Sequence, residues 1–171
     1  MQAIVTGNSR GIGKDITDRL RQNGISVPDI SRETGYDLMN KENYYKLLRD
    51  HPRTDILINN VGGMGRSSKL DWEDCMKKNY GLAFQLTYAY LDEMVKNRFG
   101  RVITISSIHG VDYQGLPWFN AAKSAQIALN CSLARRYEGV TFNTVCPNCV
   151  NVRPNDNYKL NPSDISNVVL S

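Results

Sequence analysis

The first thirteen residues constrain this chain most. Ala3-Ile4-Val5-Thr6 reads as a strand, and Gly7-Asn8-Ser9-Arg10-Gly11-Ile12-Gly13 follows it at once. Ile12, Ile16 and Leu20 then recur at helical spacing, so the glycine segment is a turn between a strand and an amphipathic helix. Such a turn presents bare backbone N–H groups and a helix N-terminus to an anion, above all a pyrophosphate. Gly7 permits the tight exit from the strand, Gly11 lets the backbone approach phosphate, and Gly13 lets the helix pack close. Ser9, Arg10 and Ile12 complete the cradle.

The rest of the chain repeats the theme. Strands are predicted over 2–6, 25–30, 55–59, 101–105 and 140–145, and helices over 11–22, 41–50, 70–97, 118–137 and 162–170. The alternation predicts one α/β domain over 1–171, a doubly wound parallel sheet of Rossmann type. Ser68-Lys69-Leu70-Asp71 has the spacing of a capping box for the long helix, whose apolar and aromatic positions extend wider than one stripe. The spare width predicts a face for a second helix pair.

With 171 residues, 41% hydrophobic and 22% charged, the chain is of ordinary globular composition. The net charge of +4 is scattered, which argues against a nucleic-acid stripe and suits an anionic small ligand. No apolar run reaches the length of a membrane span, and Met1 leads directly into the first strand, so no signal peptide or membrane association and a cytoplasmic location are expected. Cys146-Pro147-Asn148-Cys149 has CxxC spacing; with no second ligand pair and two histidines it predicts no metal site, and reduced thiols are favoured over a redox pair.

Several segments, taken in order, resemble the short-chain dehydrogenase/reductase family across nearly the whole chain: the glycine turn, Asn59-Asn60-Val61-Gly62, Asn79 in the long helix, Ser106-Ser107 at a strand end, and Lys123 in the following helix. The resemblance implies a nicotinamide coenzyme and hydride transfer to or from a carbonyl or alcohol carbon, with acyl thioesters among the substrates an open site would admit. Ser31 and Arg32 resemble the end of the second strand, where NAD-preferring members carry an acid; Arg32 and Arg10 therefore predict NADP(H) over NAD(H). Asp29 is the competing acid, if the strand ends earlier. Asp37 and Leu38 resemble the adenine-contacting pair, Asn59 and the Val61-Gly62 stretch the adenosine side, and Pro147-Asn148 the turn at the nicotinamide end.

The catalytic set is incomplete. Lys123 resembles the family's lysine, Ser107 its substrate-steadying serine, and Asn79, 28 residues before Ser107, its helix asparagine. Four positions before Lys123, where the proton-donating tyrosine stands in most members, lies Phe119. Three readings stay open: an engineered inactive form, a pseudoenzyme that binds coenzyme without turnover, or an enzyme using water, Ser107 or Tyr113 as donor. The resemblance also implies a clipped region between the second and third strands, a short substrate lid, absence of the last family strand, and a homodimer through helices 70–97 and 118–137.

Overall fold

A computed structural model describes residues 1–63, 72–152 and 156–171. Four strands form one parallel sheet in the order β1 (Ala3–Val5), β2 (Ile56–Asn59), β3 (Gly100–Ile105), β4 (Val140–Val145). The register pairs Ile4 with Leu57, Leu57 with Val102 and Val102 with Phe142, so one row of side chains crosses all four strands. That row packs under α2 (Lys41–Asp50), α4 (Leu82–Lys96) and α5 (Pro117–Ala134), through Leu47, Leu86, Tyr90 and Leu133. The alternate positions, Ala3, Val5, Ile58 and Ile105, face α1 (Gly11–Gln22) and α6 (Pro162–Leu170), through Ile16, Leu20 and Ile165. A period-two strand with both faces apolar must be covered twice, and it is. The fold is thus the doubly wound single domain that the alternation predicts.

Three elements differ from expectation. The segment 25–30 is not a strand: its ladder pairing is limited to an isolated bridge between Gln2 and Ser26 beside β1. Pro28 has no N–H to give a ladder, and the Asn8 side chain takes the neighbouring groups, donating to the Pro28 carbonyl at 2.8 Å and accepting from the Ile30 N–H at 2.8 Å. The Gly7 and Asn8 N–H groups both donate to the Ile30 carbonyl. The segment is therefore tied to the glycine turn rather than to a strand.

The helix predicted over 70–97 is not continuous α-helix. It comprises α3 (Trp72–Met76), a π-helical turn over Lys77–Gly81, and α4; the capping box at 68–71 lies outside the described residues. The wide turn places Asn79 fully inside the protein, and such turns recur where a side chain must be re-aimed into a site. The helix predicted over 118–137 ends at Ala134.

Candidate functional site

The carboxyl ends of β1 and β2 open onto a cleft of about 720 Å3. Of the coenzyme-binding residues expected from sequence, Gly7, Ser9, Arg10, Gly11, Ile12, Ser31, Arg32, Asp37, Leu38, Val61 and Gly62 line it. Gly7 and Gly11 have φ of +69° and +57°, which L side chains rarely adopt. Gly13 lies in the first turn of α1, where a Cβ would stand 2.5 Å from the Gly7 carbonyl oxygen and 2.6 Å from Asn60 Nδ2. It sets helix-to-strand packing and is not part of the cleft wall.

α1 has Arg10 at its N-cap, with no side-chain capping hydrogen bond and no acidic residue in its first turn. Its N-terminal N–H groups and positive dipole end therefore meet the cleft without an internal anion to satisfy them. That arrangement suits a diphosphate. Arg10, Arg32 and Lys78 supply cationic side chains along the walls, and Glu33 and Asp37 the acidic ones. Asp29 is engaged elsewhere, in an ion pair with Arg21 at 2.7 Å outside the cleft. Asn60, from the Asn59-Gly62 motif, and Val152 also line the cleft, and Glu33, Tyr36, Met39 and Lys78 do so without having been singled out from sequence. Asn59 does not line it: it is buried and donates to Thr87 Oγ1 at 3.1 Å. Pro147 and Asn148 also lie off the wall of this cleft.

The cleft reaches the second cluster at Gly62. A Cβ there would lie 2.8 Å from Asn79 Oδ1 and 3.2 Å from Lys123 Nζ, so only glycine lets the cleft floor rest on these two groups. Lys123 is buried; its ammonium donates to the Ile105 carbonyl at 3.0 Å and to Gln126 Oε1 at 3.2 Å. Loss of hydration pushes its pKa down to about 8. The Phe119 ring lies with its centroid 5.7 Å from Lys123 Nζ and edge-on to His109 at 6.2 Å.

Ser107 Oγ accepts from the His109 N–H at 3.3 Å, which leaves its own O–H available to a ligand. Ser106 instead spends its hydroxyl on the Lys123 carbonyl, so it anchors α5 to the end of β3. Asn79 has no free polar atom on its side chain: Oδ1 accepts from Gly63 N–H at 2.8 Å, and Nδ2 donates to the Cys75 carbonyl at 2.9 Å. It ties the loop after β2 to α3. Tyr113 is two-thirds exposed, with a φ of 59°. His109 is held by Asp112 at 3.3 Å.

All four cysteines are free, and Cys146 and Cys149 sit in irregular chain after β4 rather than at a helix start. No group of metal ligands occurs among the described residues. No helix among them is long and apolar enough to cross a membrane.

A parallel α/β sheet with an uncapped helix over a glycine turn, a buried lysine and a strand-end serine defines a dinucleotide-binding oxidoreductase-type fold. The family model "short chain dehydrogenase" matches residues 36–162. The 3-oxoacyl-[acyl-carrier-protein] reductase of Vibrio cholerae is 32% identical over 174 aligned residues, covering 85% of this chain and 71% of that protein. An oxidoreductase of the short-chain dehydrogenase/reductase family from Burkholderia thailandensis superposes with a TM-score of 0.80 at 22% identity, over 99% of this chain and 83% of that one. A 3-oxoacyl-[acyl-carrier protein] reductase with bound NAD from Brucella melitensis gives a TM-score of 0.80 at 19% identity, over 99% of this chain and 82% of that one. The chain belongs to the short-chain dehydrogenase family, a family of oxidoreductases. The alignment with the Vibrio protein is longer than this entire 171-residue chain while using only part of it, so that relative carries residues inside the aligned region that are missing here.

Proposed function

We propose that this protein is an NADP(H)-dependent carbonyl reductase or alcohol dehydrogenase whose proton-transfer step is impaired at Phe119. The observation behind this reading is the continuity at Gly62: a phosphate-ready cleft runs onto a buried lysine, with a strand-end serine beyond it. The first loop and the α1 N-terminus hold the diphosphate, Ser31, Arg10 and Arg32 the 2′-phosphate side, Asp37, Leu38 and Val61 the adenosine side, and Lys123 the nicotinamide ribose. Bound there, the coenzyme supplies the hydride. Ser107 donates its O–H to the substrate oxygen. Phe119 has no proton to give, so the proton comes from water, Ser107 or Tyr113, or not at all.

The rival reading is a coenzyme-binding module without turnover, favoured by Phe119 and by the fully engaged side chain of Asn79. Ketones, aldehydes and 3-oxoacyl thioesters, the last being the class named in the Vibrio relative, form the panel for an NADPH-oxidation assay. Any turnover above the uncatalysed rate upholds the first reading. Tight coenzyme binding without turnover, in this chain and in Phe119→Tyr alike, upholds the second. A cytoplasmic location is proposed with either reading.

Coenzyme choice has its own test. A charge-assisted hydrogen bond contributes about 1.5–3 kcal/mol, so Arg32→Ala weakens NADPH binding by about 10- to 100-fold and leaves NADH binding unchanged. Equal losses for the two coenzymes would remove Arg32 from the 2′-phosphate.

The association surface is proposed on α4 and α5. Tyr80, Phe84 and Tyr88 stack along one face, with ring centroids at 5.8 and 4.7 Å, and Phe84 and Tyr88 are exposed. Ala121, Ala128 and Ser132 are exposed on α5 and are small enough to let aromatic side chains approach. A homodimer covering both faces predicts twice the chain mass by light scattering, and the single chain mass for Tyr88→Arg.

A further inference from the structure

Gln126 is completely buried in α5, one helical turn beyond Lys123, in a helix whose other inward positions include Phe119, Ala122 and Leu133. A buried amide must find partners for both ends. Its Nε2 donates to the Asn79 main-chain carbonyl at 2.6 Å, and its Oε1 accepts from Lys123 Nζ at 3.2 Å. The orientation is dictated by chemistry. A carbonyl accepts and never donates, so the NH2 must face Asn79 and the oxygen must face the ammonium.

We propose that Gln126 is a positioning residue that holds the Lys123 ammonium against the cleft floor by spanning it to the π-helical turn. Lys123 has no carboxylate partner: none of the ion pairs among the described residues includes it. The titratable groups that face it are the thiols of Cys75, from α3, and Cys146, after β4, and burial pushes both thiols up, toward their neutral forms. The side facing β3 offers the Ile105 carbonyl, and Phe119 offers a ring. The positive charge is therefore supported by two oxygen dipoles, one fixed in the strand and one borne by Gln126. The link also fastens α5 to the turn bearing Asn79, so Lys123 and Asn79 keep one spacing beneath Gly62. The consequence for hydride transfer rests on the proposed role of Lys123 at the nicotinamide ribose; the electrostatic link itself does not.

The test reads Lys123 directly in the coenzyme-free protein. Lysine labelled with 13C at the ε carbon is titrated by NMR, and the Lys123 resonance is the one absent from Lys123→Met. Gln126→Leu removes the oxygen dipole and lowers the titration midpoint. Gln126→Glu places a carboxylate at the same distance and raises it by about 1 to 3 on the pH scale. A Lys123 midpoint in Gln126→Leu equal to that of the native protein would overturn the proposal. Should Gln126→Leu not fold, the Glu variant decides alone: an upward move upholds the link, and an unchanged midpoint sinks it. Failure of the coenzyme reading would leave these midpoints shifted, so the two failures are distinguishable.

Discussion

Phe119→Tyr raises NADPH-dependent carbonyl reduction by about 10²–10⁴-fold in kcat/KM, the range that a positioned general acid supplies. The substitution adds one oxygen to a ring that already sits in the right neighbourhood. Phe119 is buried in the first turn of α5, its ring lies against His109, and Lys123 Nζ stands 5.7 Å from its centroid. An ammonium at that range favours the phenolate and so brings the new hydroxyl toward a working pKa. Ser107 keeps a free O–H to steady the substrate oxygen from the β3 side. Initial rates over the ketone, aldehyde and thioester panel measure the gain. Equal measurable rates for the native chain and the Phe119→Tyr variant would mean that another donor already serves the site, and no turnover in either, with coenzyme bound, would uphold the non-catalytic reading.

The second large effect concerns the stability of the protein itself. Burial lowers the Lys123 pKa from an ordinary 10.5 to about 8 in the folded state. A depressed lysine pKa means that the folded state resists the proton which the unfolded chain still binds. Between pH 8 and 10.5 the unfolded state thus carries more protons, and stability rises with pH across that window. The buried ammonium costs most at and below pH 8, and the cost disappears as pH climbs. The thiols of Cys75 and Cys146 act in the opposite sense, because burial raises their pKa values. Comparison with Lys123→Met largely cancels their contribution. Denaturant unfolding of the two proteins at pH 8 and pH 10.5 should show the native chain gaining on the order of 2 to 3 kcal/mol relative to Lys123→Met. A difference that stays constant with pH would show that Lys123 is not buried as an ammonium.

Much of this was legible in the sequence wherever the cause is local. The strand, glycine turn and helix at the N-terminus follow from an apolar run, three glycines and a helical period, and all lie within 22 residues. The helices 41–50 and 162–170 have their predicted bounds, since each starts at an asparagine cap. Legibility failed where distant groups compete. Ile25 to Ile30 has strand composition, yet the Asn8 side chain claims its backbone groups, and no period in 25–30 announces that. Asn79 is found by spacing, but the π-helical turn that buries it has no sequence signature here.

The cleft shows the same division. Gly7, Ser9, Arg10, Gly11 and Ile12 belong to one contiguous motif, whereas Tyr36, Asn60, Lys78 and Val152 arrive from four separate segments. Val152 is within contact of Gly11, since a Cβ on that glycine would lie 3.2 Å from Val152 Cγ1, across 141 positions of chain. Gln126 left one trace. In α5, Ala122, Gln126 and Asn130 share the inward phase, and a polar residue at that phase has to be satisfied by something. That partner was not visible, because Asn79 lies 47 residues away.

Calorimetric titration of the native chain with NADPH, and in parallel with NADH, addresses the foundation of the functional reading. The expected outcome is saturable binding of NADPH with one coenzyme per chain, tighter than that of NADH. Absence of a binding heat for both at about 1 mM, where even an affinity of −4.1 kcal/mol half-fills a site, would contradict the assignment of the cleft over β1 and β2.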